Sequence, residues 1–130
     1  MVRIFIVDDS ATARAALKSA LEQRSDWIVV GEACNGHHAL ATFHLHTPHL
    51  TLMDFIMPQM NGLETARHLA SRHPGVLILM VTTDPSKQLE IEARRAGIKG
   101  LCPKNQIHCL SKAIETLLNG GTYFSEEGVA

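Results

Sequence analysis

A short apolar segment that ends in an aspartate constrains the fold of this chain more than any other feature. Residues 50–58 are apolar apart from Thr51 and Asp54, and Pro48 and Pro58 bound them, which predicts a short strand buried on both faces. Asp54 is the last residue of that strand. Because ligands bind at the carboxyl ends of the strands in an open parallel sheet, the sequence predicts a carboxylate at the functional edge.

The rest of the chain alternates between short apolar runs and segments with helical spacing. Strands are predicted at residues 2–7, 27–31, 50–54, 76–81 and 99–102, and a helix follows each of them. Strands that are apolar throughout are typical of a parallel sheet with helices on both faces. Right-handed crossovers and the common five-strand winding then predict an α/β fold, a flavodoxin-like doubly wound sheet of order 2-1-3-4-5 with five helices.

The length and charge of the chain favour a single domain that does not bind nucleic acid by itself. A chain of 130 residues is near the usual domain size, and a net charge of -1 provides no basic excess for phosphate backbones. No apolar run is long enough to span a bilayer. The cysteines Cys34, Cys102 and Cys109 lack metal-ligand spacing and fit a reducing cytoplasm.

Polar side chains from four strand ends are predicted to meet where the strand order reverses. The set comprises Asp8, Asp9, Asp54, Thr82 and Lys104. Three carboxylates in one crevice repel each other, and Mg²⁺ binds one or two carboxylates together with phosphate and water. Lys104 can pair with a phosphoryl oxygen, and Thr82 can donate a hydrogen bond to it. This combination indicates a phosphoryl-acceptor site with Asp54 as the nucleophile.

In these residues and their order, the chain resembles a bacterial two-component response-regulator receiver domain, which has a CheY-like fold. The resemblance implies metal binding by Asp8 and Asp9 and phosphorylation of Asp54. It also implies that Thr82 is the switch hydroxyl and that Lys104 is the lysine that contacts the phosphoryl group. A histidine kinase is then the expected phosphoryl donor, and homodimerisation on phosphorylation and a cytoplasmic location are expected.

Two further segments are similar to receivers of the NarL/FixJ type, residues 31–36 and 120–125. Such receivers usually carry a C-terminal LuxR-like helix-turn-helix domain. The resemblance therefore implies a receiver domain over residues 1–121 and the start of a linker at 122–130. DNA binding is expected only through a C-terminal domain absent from this sequence, and a natural single-domain regulator is the alternative.

Ile56 and Leu101 bear on the resemblance to receiver domains, the first as an expected further ligand and the second as a departure from the family. The backbone carbonyl of Ile56 is expected to be a further metal ligand, and its apolar side chain is expected to slow hydrolysis of the phosphoryl group. Leu101 stands where the family often has an aromatic residue, so an aromatic switch cannot be carried over. The chain is expected to be no enzyme beyond promoting its own phosphotransfer and slow dephosphorylation.

Other classes of protein fit parts of the pattern. A haloacid-dehalogenase-like phosphatase also uses an aspartate nucleophile with Mg²⁺, but it would need a second aspartate at the position of Ile56. A flavodoxin-like cofactor binder would place a phosphate after the first strand, where Asp8 and Asp9 would repel it. A receiver that signals without phosphorylation is a third alternative.

Histidines crowd the predicted second helix and its exit: His37, His38, His44, His46 and His49. A solvated helix face is the simplest interpretation, because no pair of histidines four residues apart and no cysteine with metal-ligand spacing supports a metal site. A transition-metal site is the alternative.

Overall fold

The computed structural model describes residues 1–124 of the chain, in which strands and helices alternate. The elements are β1 (Val2–Val7), α1 (Ala11–Leu21), β2 (Trp27–Ala33), α2 (Gly36–His46), β3 (Leu50–Asp54), α3 (Gly62–Arg72), β4 (Ile78–Thr82), α4 (Lys87–Arg95), β5 (Gly100–Pro103) and α5 (Ile107–Leu118). All strand pairs are parallel and the sheet order is β2-β1-β3-β4-β5. The predicted fold class and winding are confirmed. Within residues 1–124, no helix has the length and apolar character that crossing a membrane requires.

Side-chain caps determine where the helices begin. Ser10 and Asn35 each precede a segment with helical spacing, which predicts that they cap α1 and α2. Both predictions are confirmed, since Ser10 and Asn35 accept hydrogen bonds from the N–H groups of Ala13 and His38, at 3.1 and 2.7 Å. In the sequence, Asp84 and Pro85 predict the start of the fourth helix, because proline is preferred at the first helical position. This predicted start is wrong. Ser86 is the cap, because its hydroxyl accepts the N–H of Leu89 at 3.1 Å.

The boundaries of two strands also differ from the prediction. β4 begins at Ile78 and not at residue 76. Residues 73–76 form a turn closed by the bond from the N–H of Val76 to the carbonyl of His73, and Gly75 has a positive φ of 89° there. β2 runs on to Ala33, since its register with β1 continues to the pair of Val7 and Ala33.

The sheet separates two hydrophobic clusters, one on each face. β3 lies in the middle of the sheet and is buried at every position. The face under α2, α3 and α4 buries Phe5, Val7, Met53, Met80 and Leu101. The face under α1 and α5 buries Ile4, Ile6, Leu52, Leu79 and Cys102. Because both faces are covered, the carboxyl edge of the sheet is where polar side chains of the central strands reach solvent.

The chain after α5 packs back onto the outer edge of β5. Tyr123 forms a parallel bridge with Gly100, and its carbonyl accepts the N–H of Leu101 at 2.8 Å. Phe124 is buried in the cluster under α4, with the Arg94 guanidinium 4.0 Å from its ring centre. The start of a linker at residue 122 stays a prediction, and residues 125–130 lie outside the described residues.

Candidate functional site

The carboxyl ends of β1 and β3 bring three acidic side chains together. β1 and β3 are neighbours, and Val7 is paired with Met53, so the residues that follow, Asp8 and Asp54, lie side by side. One carboxylate oxygen from each of Asp8, Asp9 and Asp54 lies within 4.8 Å of the others. The sequence predicted this cluster, and the parallel pairing of the strands is what produces it.

Burial and like charge raise the proton affinity of the central carboxylate. Asp54 is 5% exposed and Asp8 is fully buried, whereas Asp9 is exposed. Burial, followed by the negative charge of Asp8, raises the pKa of Asp54 from 3.8 to about 6, although Lys104 opposes the shift. The ionised form of the site is therefore costly without a positive charge.

Lys104 supplies one positive charge to this cluster. Its Nζ lies 2.7 Å from Asp8 Oδ2 and 3.3 Å from Asp54 Oδ2. Burial by itself lowers the pKa of Lys104, but the contacts with Asp8 and Asp54 outweigh it and the pKa is raised. The backbone N–H of Lys104 donates to the carbonyl of Thr82 at 2.7 Å, which holds the loop after β5 against the end of β4.

The acidic cluster fits a hard divalent cation. Asp8 Oδ2 is buried, and apart from the ion pair with Lys104 it accepts no hydrogen bond within residues 1–124. The ammonium of Lys104 contacts two of the three carboxylates, those of Asp8 and Asp54. Clustered carboxylate oxygens of this kind suit Mg²⁺. Ile56 lies two residues after Asp54, on the loop, and is 63% exposed. The role of its carbonyl as a ligand stays a prediction.

Thr82 ends β4 beside the acidic cluster and is buried. Asp54 is paired with Val81 across the sheet, so Thr82 is the next residue along the neighbouring strand. Its hydroxyl accepts the N–H of Asp84 at 3.3 Å, which links it to the loop that leads into α4. Thr82 therefore lies between the acidic cluster and the loop before α4.

Sequence reasoning missed the part played by two residues near the site. A Cβ on Gly62 would lie 2.3 Å from the carbonyl oxygen of Asp54, so the start of α3 can pack against the end of β3 only without a side chain. Arg14 donates from Nη1 to the carbonyl of Asp8 at 2.7 Å and from Nε to Glu32 at 2.9 Å. An arginine in an amphipathic helix carries no signal of such contacts in the sequence.

The histidines near α2 form separate contacts. His46 packs against the ring of Phe5 at 5.0 Å, and His49 Nδ1 accepts the N–H of Arg3 at 2.9 Å. His38 Nδ1 lies 3.6 Å from Cys34 Sγ. Among residues 1–124, the acidic cluster is the one group of three or more potential metal ligands of the His, Cys, Asp or Glu type. The transition-metal alternative therefore gains no support.

A doubly wound parallel sheet with three acids and a lysine at its carboxyl edge defines a receiver-type domain. Comparison with family models agrees, because the model described as "response regulator receiver domain" matches residues 4–115. The chain belongs to this family, the receiver domains of two-component systems.

Individual relatives indicate which kind of receiver domain the chain is similar to. The chain is 34% identical over 128 residues to transcriptional regulatory protein LnrK of Bacillus subtilis, a match that covers 98% of this chain and 58% of LnrK. A crystal structure of a LuxR-family two-component response regulator from Aurantimonas sp. SI85-9A1 superposes with a TM-score of 0.93 at 29% identity, covering 98% of this chain and 91% of that one. The predicted NarL/FixJ-type assignment is confirmed.

The chain is also similar to part of an enzyme. It is 36% identical over 110 residues to protein-glutamate methylesterase/protein-glutamine glutaminase 1 of Methanosarcina mazei, covering 83% of this chain and 30% of the relative. The chain thus spans about half the length of LnrK and about a third of the methylesterase.

Proposed function

We propose that this chain accepts a phosphoryl group on Asp54 from the phosphohistidine of a histidine kinase and then changes conformation to control an output. The observation that carries the proposal is the position of the Asp54 carboxylate. It lies within 4.8 Å of the Asp8 and Asp9 carboxylates and 3.3 Å from the ammonium of Lys104. A nucleophile surrounded by metal-binding and cationic groups is the arrangement that phosphoryl transfer requires.

The transfer needs an ionised carboxylate that faces a neutralised phosphoryl group. With its pKa near 6, Asp54 is mostly ionised at neutral pH. One of its oxygens attacks phosphorus, the phosphorus–nitrogen bond of the phosphohistidine breaks, and Lys104 pairs with a phosphoryl oxygen. Asp8, Asp9, Asp54 and the carbonyl of Ile56 would hold Mg²⁺. When bound, the ion would supply positive charge to the carboxylates and to the phosphoryl oxygens.

The signal leaves the site through the end of β4. The acyl phosphate adds negative charge beside Thr82, whose hydroxyl can then donate to a phosphoryl oxygen. That hydroxyl now accepts the N–H of Asp84, so its reorientation would change the loop before α4. We propose that the altered surface near α4, β5 and α5 controls homodimerisation and, through a C-terminal domain, DNA binding and transcription.

Within this proposal the domain is a cytoplasmic signalling module and not an enzyme with a separate substrate. The proposal that it is not such an enzyme is supported by position 56, which is isoleucine where a phosphatase with an aspartate nucleophile would have a second acid. The cytoplasmic location is supported by the family and by the free cysteines, which fit a reducing compartment. The methylesterase relative is matched over 30% of its length, which is consistent with an activity that resides elsewhere in that protein.

The proposal is tested by phosphorylation with a small donor. The purified chain is incubated with acetyl phosphate and Mg²⁺, and its intact mass is followed over time. We expect stoichiometric addition of one phosphoryl group, lost in the Asp54→Asn variant and retained in Asp26→Asn, an exposed acid at the opposite end of the sheet. Uptake by Asp54→Asn at the wild-type level would overturn the assignment. Continuous hydrolysis of a phosphate ester would favour a phosphatase.

A further inference from the structure

Arg14 joins three elements next to the acidic cluster. It lies on α1, and its side chain is 18% exposed. Nη1 donates to the backbone carbonyl of Asp8 at 2.7 Å, and Nε donates to Glu32 Oε1 at 2.9 Å on β2. One planar guanidinium therefore ties the end of β1, the end of β2 and the first turns of α1 to each other.

The contact with Asp8 acts on the backbone that carries both metal-binding acids. The Asp8 carbonyl belongs to the peptide group that links Asp8 to Asp9, and this group is planar. Its orientation therefore sets the direction in which Asp9 leaves β1. The rest of Asp8 is held by the bond from its N–H to Ala33 at 3.0 Å and by the bond from the Ser10 N–H to its Oδ1 at 2.9 Å.

We infer that Arg14 is a positioning residue for divalent-cation binding, which it supports by fixing the Asp8–Asp9 peptide group through its paired contacts with Asp8 and Glu32. This inference rests on the proposed function, in which Asp8 and Asp9 bind Mg²⁺. Arg14 touches neither the cation nor the phosphoryl group. Partners that orient metal ligands from outside typically change metal affinity by about 10- to 100-fold when they are removed.

An electrostatic effect of Arg14 and a positioning effect of Arg14 change the Mg²⁺ affinity in opposite directions, so the two can be told apart by experiment. Arg14 is a cation near a cation site, so by Coulomb's law its removal should strengthen Mg²⁺ binding. If Arg14 positions the ligands, its removal should weaken Mg²⁺ binding. A role in stability alone would change the unfolding transition and leave the affinity of the folded chain for Mg²⁺ as it was.

The experiment measures Mg²⁺ binding without any phosphoryl donor, by isothermal titration calorimetry, in wild type and Arg14→Gln. We expect the dissociation constant to rise about ten-fold in Arg14→Gln. The matched control is Arg24→Gln, which loses the same charge just beyond the other end of α1, where Arg24 pairs with Asp26 at 3.2 Å and Glu115 at 3.1 Å. It should bind Mg²⁺ as wild type does.

Two conservative variants keep the test valid if Arg14→Gln folds poorly. Arg14→Lys keeps the charge but cannot span both acceptors, so it should bind Mg²⁺ more weakly than wild type. Glu32→Gln keeps an oxygen that accepts from Nε, so it should lose little affinity. With acetyl phosphate, the half-saturating Mg²⁺ concentration should rise in Arg14→Gln while the maximal rate of phosphorylation is retained.

The outcomes separate this inference from the proposed function. Unchanged or tighter Mg²⁺ binding in Arg14→Gln and Arg14→Lys, with normal binding in wild type, would overturn the inference and leave the proposed function standing. A wild-type chain that binds no Mg²⁺ would overturn both. Equal weakening in Arg24→Gln would show that the effect is one of folding and not of the position of Arg14, which also overturns the inference.

Discussion

Asp54 is the residue of the site whose ionisation the fold disfavours. Its carboxylate is buried at the end of β3 among like charges, and its pKa rises to about 6 because burial and Asp8 disfavour the ionised form. The folded chain therefore retains a proton on Asp54 at a pH where the unfolded chain has lost it. This difference makes the stability of the domain depend on pH in a direction that can be measured.

In metal-free buffer, we expect the free energy of unfolding to fall as pH rises from about 4 to about 6. Over this range the folded state binds more protons than the unfolded state, whose carboxyl has a pKa near 3.8. Asp54→Asn should lack this decrease and exceed wild type in stability above pH 6, by at most about 3 kcal/mol. Urea denaturation in EDTA measures both.

A matched variant at a surface acid checks the assignment of this pH dependence. The hydrogen bond with Arg24 lowers the pKa of Asp26, so Asp26 contributes stability that is lost as pH falls, which is the opposite sign. Asp26→Asn should therefore keep the decrease between pH 4 and 6. An equal decrease in Asp54→Asn would show that another group is responsible.

Two buried threonines offer a second test at the residue scale. Thr51 in β3 is buried, and within residues 1–124 its hydroxyl has no hydrogen-bond partner, whereas the Thr65 hydroxyl donates to the carbonyl of Asn61 at 2.9 Å. Thr51→Val should be neutral or stabilising by about 1 kcal/mol, and Thr65→Val should be destabilising by about 1 kcal/mol. Denaturant unfolding of both variants measures the contrast. Clear destabilisation by Thr51→Val would contradict it.

At the scale of elements, the segment after α5 completes the edge of the sheet. Phe124 occupies part of the cluster under α4, and the backbone of Tyr123 pairs with β5. The free edge of β5 is therefore covered by the chain itself. This segment therefore borders the surface near α4 and β5 that we propose to change on phosphorylation.

Phe124→Ala should destabilise the domain by about 3 kcal/mol, since it removes a buried ring and leaves a cavity. The amide of Leu101, which donates to the Tyr123 carbonyl at 2.8 Å, should exchange its hydrogen faster in the variant. Urea denaturation and hydrogen exchange measure these effects. Phe124→Leu is the control that keeps most of the buried surface. Wild-type stability in Phe124→Ala would show that the segment does not hold the edge.

At the scale of the whole molecule, binding of Mg²⁺ should raise the melting temperature. The acidic cluster exists only when β1 and β3 are paired, so an ion held there would bind the folded chain and would shift the equilibrium by mass action. Thermal unfolding at increasing Mg²⁺ should show a continuous rise that Asp9→Asn reduces. An equal rise with KCl of the same ionic strength would contradict specific binding.

Much of this architecture follows from local patterns in the sequence. Short apolar runs such as residues 50–54 predict buried parallel strands, and cap residues such as Ser10 and Asn35 place the helix starts. Because parallel strands align their carboxyl ends, residues far apart in sequence could be assigned to one edge. Asp8, Asp9, Asp54 and Lys104 lie together there, as expected.

Other features depend on which distant side chains meet, and only the tertiary structure decides them. The bridge from Arg14 to Asp8 and Glu32 requires the exact packing of α1 against β1 and β2. The burial of Phe124 depends on a space between α4 and β5 that neither element reveals alone. The sequence by itself determined the parallel sheet and the acids at its edge, because these follow from periodicity and chain direction. The strand order followed from the common winding of five-stranded sheets of this kind. The contacts that orient those acids arise from packing between elements, and no local pattern encodes them.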